Sequence, residues 1–476
     1  MRGIALLLAL CAVGCARSAI DRTLGWRRLT TEHVQLDTDA QSGVARLAAL
    51  QLEAHDRALA HVFPDCPDGD ASEPFSVIAL SHAEDFEAVR PNRGVGGFDV
   101  PADLAAPPSP ETVVLALYGG QLAPDALQAF AHHLAHRLMT SCLADAPAWL
   151  QEGLATYYET LRVERGRIVT GVAPFRFTFA PHTWSESADG LHVVDVDRRT
   201  IEFPTAIEAE REFYLDDSGD GWRAHTGRYP AAWTVVHMLM LDGPDDVLGH
   251  LPRYLDSVAA RSGTTFEEAF ANVAINRAFH AYLHDARITE HDEPYATPEI
   301  VPPSTRELTP AEADLTWMHL LVRPPWERAH DEIADHYAFA SEQSETRVRA
   351  TLLGARVGLT DAASLRETSP DDLEVLYARA DAARTNGGDP GALDALLARP
   401  DLRIFDLALA AQLAMDAHRN DEAVALARNV VHLAPGEWWT HALLGSILVR
   451  AGQSDEGTLE VQRARRSHAH WPGRDD

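Results

Sequence analysis

Three side chains in one short stretch have the types and spacing of a metal site. Two are the outer histidines of Ala131-His132-His133-Leu134-Ala135-His136, and the third is Glu152, which follows His136 after fifteen intervening residues. Helix positions four apart are turned by about 400°, so His132 and His136 share one face about one turn (~6 Å) apart and can grip a single ion. A carboxylate from the next helix brings the protein ligands to three and leaves a fourth position open, the arrangement of catalytic zinc. Pro147 and the apolar pair Trp149-Leu150 start that next helix, and Glu152, Thr156 and Glu159 fall on one side of it. Asp145 and Glu159 are both candidates to hydrogen-bond the ligand histidines from behind, and spacing does not choose between them. His133 is turned about 100° from His132 and reads as a helix-surface residue. Of Tyr157 and Tyr158, also about 100° apart, one is expected in the core and the other in the cleft.

The surrounding sequence supplies elements that could hold such a pair of helices. Short apolar runs from Trp26 to Asp37 and from Pro74 to Leu80 sit between turn formers, as strands do, and a third strand, Thr112 to Leu117, ends at Gly119-Gly120. Between the first two, Ser42 to Phe63 spaces Leu47, Leu50, Ala54, Leu59 and Val62 as an amphipathic helix. The order strand, helix, strand, strand predicts a small α/β subdomain. From Ala123 to about Phe279 the pattern turns mainly helical, interrupted by a hairpin-like, Gly- and Pro-containing stretch from Val163 to Glu212. Residues 290–306, with His291-Asp292-Glu293-Pro294 and Ile300-Val301-Pro302-Pro303, read as an irregular linker, and 307–476 as helix throughout. The last hundred residues repeat at an offset of 34: Ala411 maps onto Gly445, Ala417 onto Ala451, Asp421 onto Asp455 and Glu422 onto Glu456. Two such repeats stand out, and a third is expected around residues 370–400.

The two motifs together resemble the gluzincin metallopeptidases, in particular the peptidase MA-like group and more distantly the aminopeptidase N-like enzymes. Their signature is His-Glu-x-x-His followed by Trp-Leu-x-Glu-Gly-x-Ala-x-Tyr, matched here by His132 to His136 and by Trp149-Leu150-Gln151-Glu152-Gly153-Leu154-Ala155-Thr156-Tyr157. The likeness covers about residues 25–280, and it implies an α+β zincin-like module (25–289) that binds zinc and takes protein or peptide. The family's closing helix would correspond to Tyr229 to Leu241, from which Tyr229 would stabilise an oxyanion; His237 is expected to be packed instead. The chain departs from the family at the position after the first histidine, where His133 replaces the glutamate that serves as general base. Such acid–base roles contribute about 10² to 10⁴ in rate, so the resemblance implies a zinc site with impaired hydrolysis. The repeat at 34, with Pro435 at a repeat end, resembles the tetratricopeptide repeat, which implies an all-α helical array that either binds a peptide or serves as scaffold.

Composition narrows the remaining classes. All 41 basic residues are arginine, which excludes a phosphate-loop lysine, a pyridoxal Schiff base and a Ser-Lys dyad. With 71 acidic residues the net charge is −30, which repels nucleic acid and anionic headgroups. The acidic run Asp216 to Gly221 lacks the spacing of a calcium loop and reads as solvated. Met1-Arg2 and the apolar run Gly3 to Gly14 have the layout of a signal peptide (1–14), and Ala12-Val13-Gly14-Cys15 resembles a bacterial lipobox, with 15–24 as a tether. No later run is long enough to span a bilayer, so the expected attachment is lipid alone, in the cell envelope of a bacterium. If Cys15 carries lipid, Cys66 and Cys142 remain as a disulfide candidate in an oxidising compartment. The expectation is thus an exported lipoprotein with a zinc-binding, catalytically impaired peptidase-like module, the alternative being a non-enzymatic envelope binding or scaffold protein. Cys15→Ser is expected to abolish lipid labelling and shift the protein from the membrane to the soluble fraction; unchanged membrane association would instead point to a protein tether.

Overall fold

The computed structural model describes residues 25–63, 74–90, 96–100, 102, 110–143, 146, 148–174, 184–187, 190–193, 232–243, 247–259, 264, 266–270, 278, 282, 289–322, 330–360, 365, 375–376, 390–399, 402–435 and 437–467. In chain order the first elements are β1 (Arg27–Thr30), β2 (Val34–Thr38), α1 (Ser42–Val62), β3 (Phe75–Leu80), α2 (Ala83–Val89), β4 (Gly97–Val100), β5 (Thr112–Tyr118) and β6 (Gln121–Leu122). Then come α3 (Pro124–Cys142), α4 (Ala148–Tyr158), β7 (Arg162–Glu164), β8 (Arg167–Thr170), β9 (Trp184–Ser187) and β10 (Gly190–Val193). Residues 232–237 are helical and run into a π-helical turn, Met238–Asp242, followed by α5 (His250–Ala259) and α6 (Phe266–Ala269). The rest is β11 (His291–Pro294), β12 (Ser304–Glu307), α7 (Pro310–Leu321), α8 (His330–Glu342), α9 (Arg347–Arg356), α10 (Pro390–Leu397), α11 (Ile404–Asp416), α12 (Asn420–Leu433), α13 (Trp438–Arg450) and α14 (Ser454–Ser467). The architecture is therefore mixed α/β: a sheet embedded in a mainly helical chain.

The main sheet runs β12-β1-β2-β3-β5-β4, with β6 folding back on β5. The pairs β2–β3 and β3–β5 are parallel and the others antiparallel. Sequence runs such as Phe75–Leu80 and Thr112–Tyr118 are apolar on both faces, so both faces need cover. Val77, Ala79, Val113 and Leu115 pack in one core with α1 and α3, whereas Ile78, Leu80, Val114 and Ala116 pack in another with α2, α7, α8 and α9. The alternation follows the two-residue period of a strand. Gly119 and Gly120, both at positive φ, make the turn that ends β5.

This second core changes the expected division of the chain. Residues 290–306 are not an irregular linker throughout: β11 pairs antiparallel with β8, and β12 (304–307) adds to the sheet beside β1. Arg167 fixes the β11 register by donating from Nη2 to Asp292 O at 3.0 Å. Neither strand has an apolar face for periodicity to reveal, since every side chain of β12 is exposed. A capping box of Thr309 and Glu312 then starts α7 directly against the sheet. The first helices of the expected helical region, residues 310–356, accordingly belong to the sheet's covering layer.

Beyond them the helices repeat. α11 and α13 start 34 residues apart at Ile404 and Trp438, and α12 and α14 do so at Asn420 and Ser454. The turn inside each pair repeats as well: His418 N–H donates to Met415 O and Arg419 N–H to Ala414 O, as Gly452 N–H does to Val449 O and Gln453 N–H to Leu448 O. This is the paired 5→2 and 6→1 closure of a helix C-terminus, which places one residue in the left-handed region. That residue is Gly452 at φ 86° in one turn and His418 at φ 59° in the other. Within the second pair, Gly445 and Gly457 face each other; a Cβ at either would lie 2.8 Å from the other's carbonyl oxygen. Among the described residues no helix is long and apolar enough to cross a membrane. Cys15, Cys66 and the side chain of Cys142 lie outside the described residues, as does the Asp216 to Gly221 run, so the lipid, the disulfide and that loop stay as expectations. His418→Gly is expected to stabilise the protein by about 1 kcal/mol, because a side chain in left-handed backbone is replaced by the residue suited to it. A lower denaturation midpoint for the variant would show that the imidazole itself is needed.

Candidate metal centre

The histidine pair sits on α3, whose buried stripe of Phe130, Leu134 and Ala135 packs into the sheet core and so fixes the helix's rotation. α4 is tied back to the end of α3 by Gln151, whose Nε2 donates to Leu143 O at 3.3 Å and Ala146 O at 3.0 Å. Gly153 lets helix 232–237 approach α4, for a Cβ there would meet Ala232 O at 2.8 Å. The glycine after Glu152 in the sequence motif is thus a packing requirement for the helix that carries the carboxylate.

These contacts bring His132, His136 and Glu152 together as the spacing predicts. The two Nε2 atoms are 3.2 Å apart, and Glu152 Oε2 is 3.5 Å from each. A tetrahedron with bonds of about 2.0–2.1 Å has edges of about 3.3–3.4 Å, so the three donors stand at the separations a tetrahedral ion requires. Glu152 is 0% exposed, and neither carboxylate oxygen has a hydrogen bond of acceptable geometry. A buried carboxylate without donors is costly unless a positive charge compensates it. The group therefore fits a divalent cation in both geometry and charge.

Glu159, one of the two expected candidates, stands behind His132. Its Oε2 lies 3.0 Å from His132 Nδ1, so the imidazole can donate there and leave Nε2 turned toward Glu152. Asp145 lies outside the described residues. Burial disfavours a charged His132, yet the adjacent Glu152 carboxylate and the hydrogen-bonded Glu159 outweigh it and raise its pKa to about 9. Burial pushes Glu152 up, but the adjacent His136 and His132 prevail and hold its carboxyl well below the usual range.

The other expected positions divide. His133 is not a plain surface residue: its side chain is 20% exposed and its Nε2 is 3.8 Å from Asp99 Oδ1 on the edge strand β4. Asp99, Glu111 and His133 together form a further group of donor atoms within 4.8 Å of one another. Tyr157 and Tyr158 are both buried, the first with its hydroxyl 3.3 Å from Thr170 Oγ1 and the second donating to Val62 O at 3.4 Å, so neither lines a cleft. His237 is packed as expected: Tyr282 OH donates to Nδ1 at 2.8 Å, and Nε2–H donates to Thr289 O at 3.0 Å. Tyr229 lies outside the described residues. Asp99 and Glu111 escape sequence reading because each is a lone acid at a short strand, with no partner at helical or strand spacing.

Comparison with protein families, with curated proteins and with solved structures finds nothing that matches the chain.

The raised His132 pKa makes ion capture pH-dependent. A ligand imidazole must lose its proton, so protein freed of metal by chelator should bind zinc more tightly as pH rises from 6.5, by up to about tenfold per unit, levelling above about 9. In the same metal-free protein the charged His132 contributes stability that is fully present below its ordinary value of 6.5 and is lost as pH climbs through about 9. Competition with a calibrated chelator measures the first effect; a flat affinity between pH 7 and 9 would refute it.

Proposed function

We propose that the chain is an exported, lipid-anchored protein whose sheet-bearing module is a gluzincin-type zinc metallopeptidase of reduced hydrolytic power. The observation that carries this reading is the triangle of His132 Nε2, His136 Nε2 and Glu152 Oε2, with edges of 3.2–3.5 Å around a buried carboxylate that lacks hydrogen-bond donors. Two imidazoles and one carboxylate are a donor set that zinc favours. Zinc held there would supply Lewis acidity toward a peptide carbonyl and acidify water to a pKa of about 7.

The protein's own groups then divide the work. Glu159 orients His132 through Nδ1, and the α3–α4 packing keeps the three ligands at fixed separation. His133 occupies the position of the family's general base, but it lies near Asp99 and, unlike a carboxylate, has no pair of oxygens with which to hold both water and proton. Proton removal is the step at which this module is deficient. The substrate class is protein or peptide of the cell envelope, and the 34-residue helix pairs act as a tetratricopeptide-like array beside the module.

One observation favours a second reading. Trp438 Nε1 of α13 donates to Glu111 Oε2 at 2.8 Å, and Glu437 Oε1 lies 3.0 Å from Arg137 Nε on α3, so the array is fastened to the metal-bearing helix. An array fixed in this way supports a binding or scaffold protein in which the cleft and the repeats hold a partner together. The two readings part on turnover. Hydrolysis of an unstructured peptide by zinc-loaded protein, abolished by chelator, supports the first; its absence supports the second.

His133→Glu tests why turnover is low. The variant is expected to raise hydrolysis by about 10², with the gain lost again on adding His136→Ala. Combining it with Asp99→Asn should raise hydrolysis further, because Asp99 lies close to position 133 and would oppose a second carboxylate. No gain in either variant, with zinc shown to be bound, would favour the binding reading.

A further inference from the structure

His132 spans two carboxylates of α4. Its Nε2 lies 3.5 Å from Glu152 Oε2 and its Nδ1 lies 3.0 Å from Glu159 Oε2. Those two acids are seven residues apart, about two helical turns, so the imidazole lies along the face of α4 that carries Thr156 between them. Thr156 is wholly buried, and among the described residues its Oγ1 is the one hydroxyl sealed from solvent that has no hydrogen-bond partner.

A helical threonine ordinarily relieves its hydroxyl on its own helix, by donating to the carbonyl four residues back. Thr316 does this to Glu312 O at 3.1 Å and Thr458 to Ser454 O at 2.8 Å. Thr156 makes no such bond. A buried hydroxyl without a partner is destabilising, and an apolar side chain of the same shape would avoid that cost. The residue that needs a donor is one turn away on the same face. Neither oxygen of Glu152 has a donor of acceptable geometry; Oε2 faces both imidazoles, which leaves Oε1, whereas Glu159 already holds His132 Nδ1. Helical side chains lean toward the N-terminus, so Thr156 extends over the turn that bears Glu152. Rotation between staggered positions re-aims its hydroxyl by about 120° with no shift of the backbone.

We propose that Thr156 is a positioning residue of the metal centre: with the ion bound, its hydroxyl donates to Glu152 Oε1 and so holds Oε2 toward the ion. The inference rests on the reading of His132, His136 and Glu152 as a zinc site. A ligand carboxylate that gives one oxygen to a metal is normally hydrogen-bonded at the other, and losing such a partner typically costs about 10–100-fold in metal affinity. The hydroxyl has no partner in the metal-free protein and gains one when the ion arrives. It therefore favours the bound state specifically, since an interaction present in only one of two states shifts the balance between them.

The test compares wild type, Thr156→Val and Thr156→Ser as full-length protein stripped with chelator. Zinc affinity is measured by competition with a calibrated chelator, ligand geometry by the visible absorption of Co²⁺-loaded protein, and stability by the thermal midpoint of the metal-free form. Thr156→Val should bind zinc about tenfold or more weakly and alter the Co²⁺ bands, while Thr156→Ser, which keeps the hydroxyl, should retain wild-type affinity and bands. Without metal, Thr156→Val should melt at or above wild type, because the hydroxyl it removes has no partner to lose. Equal zinc affinity in wild type and Thr156→Val overturns the proposal and leaves the zinc site standing. Equal weakening in Thr156→Val and Thr156→Ser also overturns it, since packing of the threonine would then be what matters. So does a metal-free Thr156→Val that melts below wild type or fails to fold, which would mean that the hydroxyl is paired before any ion binds. A wild type that takes up neither zinc nor cobalt refutes the metal site itself, and the role of Thr156 falls with it.

Discussion

A single buried carboxylate sets the terms for much of this structure. Glu152 is wholly out of water and has no hydrogen-bond donor, and the free-energy cost of such a charge amounts to several kcal/mol unless positive charge stands beside it. The compensation comes from His132 and His136, and His132 is in turn held by Glu159. That chain of dependence requires α3 and α4 to lie at one separation and one rotation. Gln151 closing the intervening loop, Gly153 admitting the Ala232 carbonyl, and the stripe of α3 buried on the sheet all serve that requirement.

The same helix carries the molecule's second organising feature. With about 100° between successive residues, a helix that aims His132 and His136 at α4 must aim His133 and Arg137 elsewhere. Here that direction is occupied by Asp99, Glu111 and the first residues of α13. Position 133 thus lies beside Asp99 and Glu111, in surroundings already rich in carboxylates. An imidazole is electrostatically tolerable there, and a further acid is opposed. The imidazole at position 133 and the attachment of the array thus share one electrostatic setting.

The sheet explains why the chain resists division into successive units. Strands β3 and β5 are apolar on both faces, so one helical layer could not cover them. The first face is covered by α1 and α3, local in sequence, and the second by α2 together with α7 to α9, which return from more than two hundred residues later. β12 joins β1 on the way. Only after that layer is complete do the 34-residue helix pairs begin, and their spacing is regular because each pair reuses the same turn.

What depends on local pattern was legible in the residues. Two-residue and 3.6-residue periodicities located β3, α1 and β5 to within a residue or two, the 34-residue offset matched the recurrence of helix starts, and the fourfold spacing of His132 and His136 with Glu152 behind them picked out the ligand triangle. These features are set within one element or by neighbouring elements, where chain geometry leaves few alternatives. Tertiary structure alone decided the rest. It chose Glu159 as the partner of His132, buried both Tyr157 and Tyr158, turned residues 291–294 and 304–307 into strands, brought Asp99 and Glu111 to His133, and brought Trp438 to Glu111 across more than three hundred residues. A lone acid beside a short strand carries no periodic signal, and four exposed residues pairing through their backbone carry no hydrophobic one. Their roles follow from which surfaces meet once both faces of the sheet are covered, and that packing is a property of the whole chain.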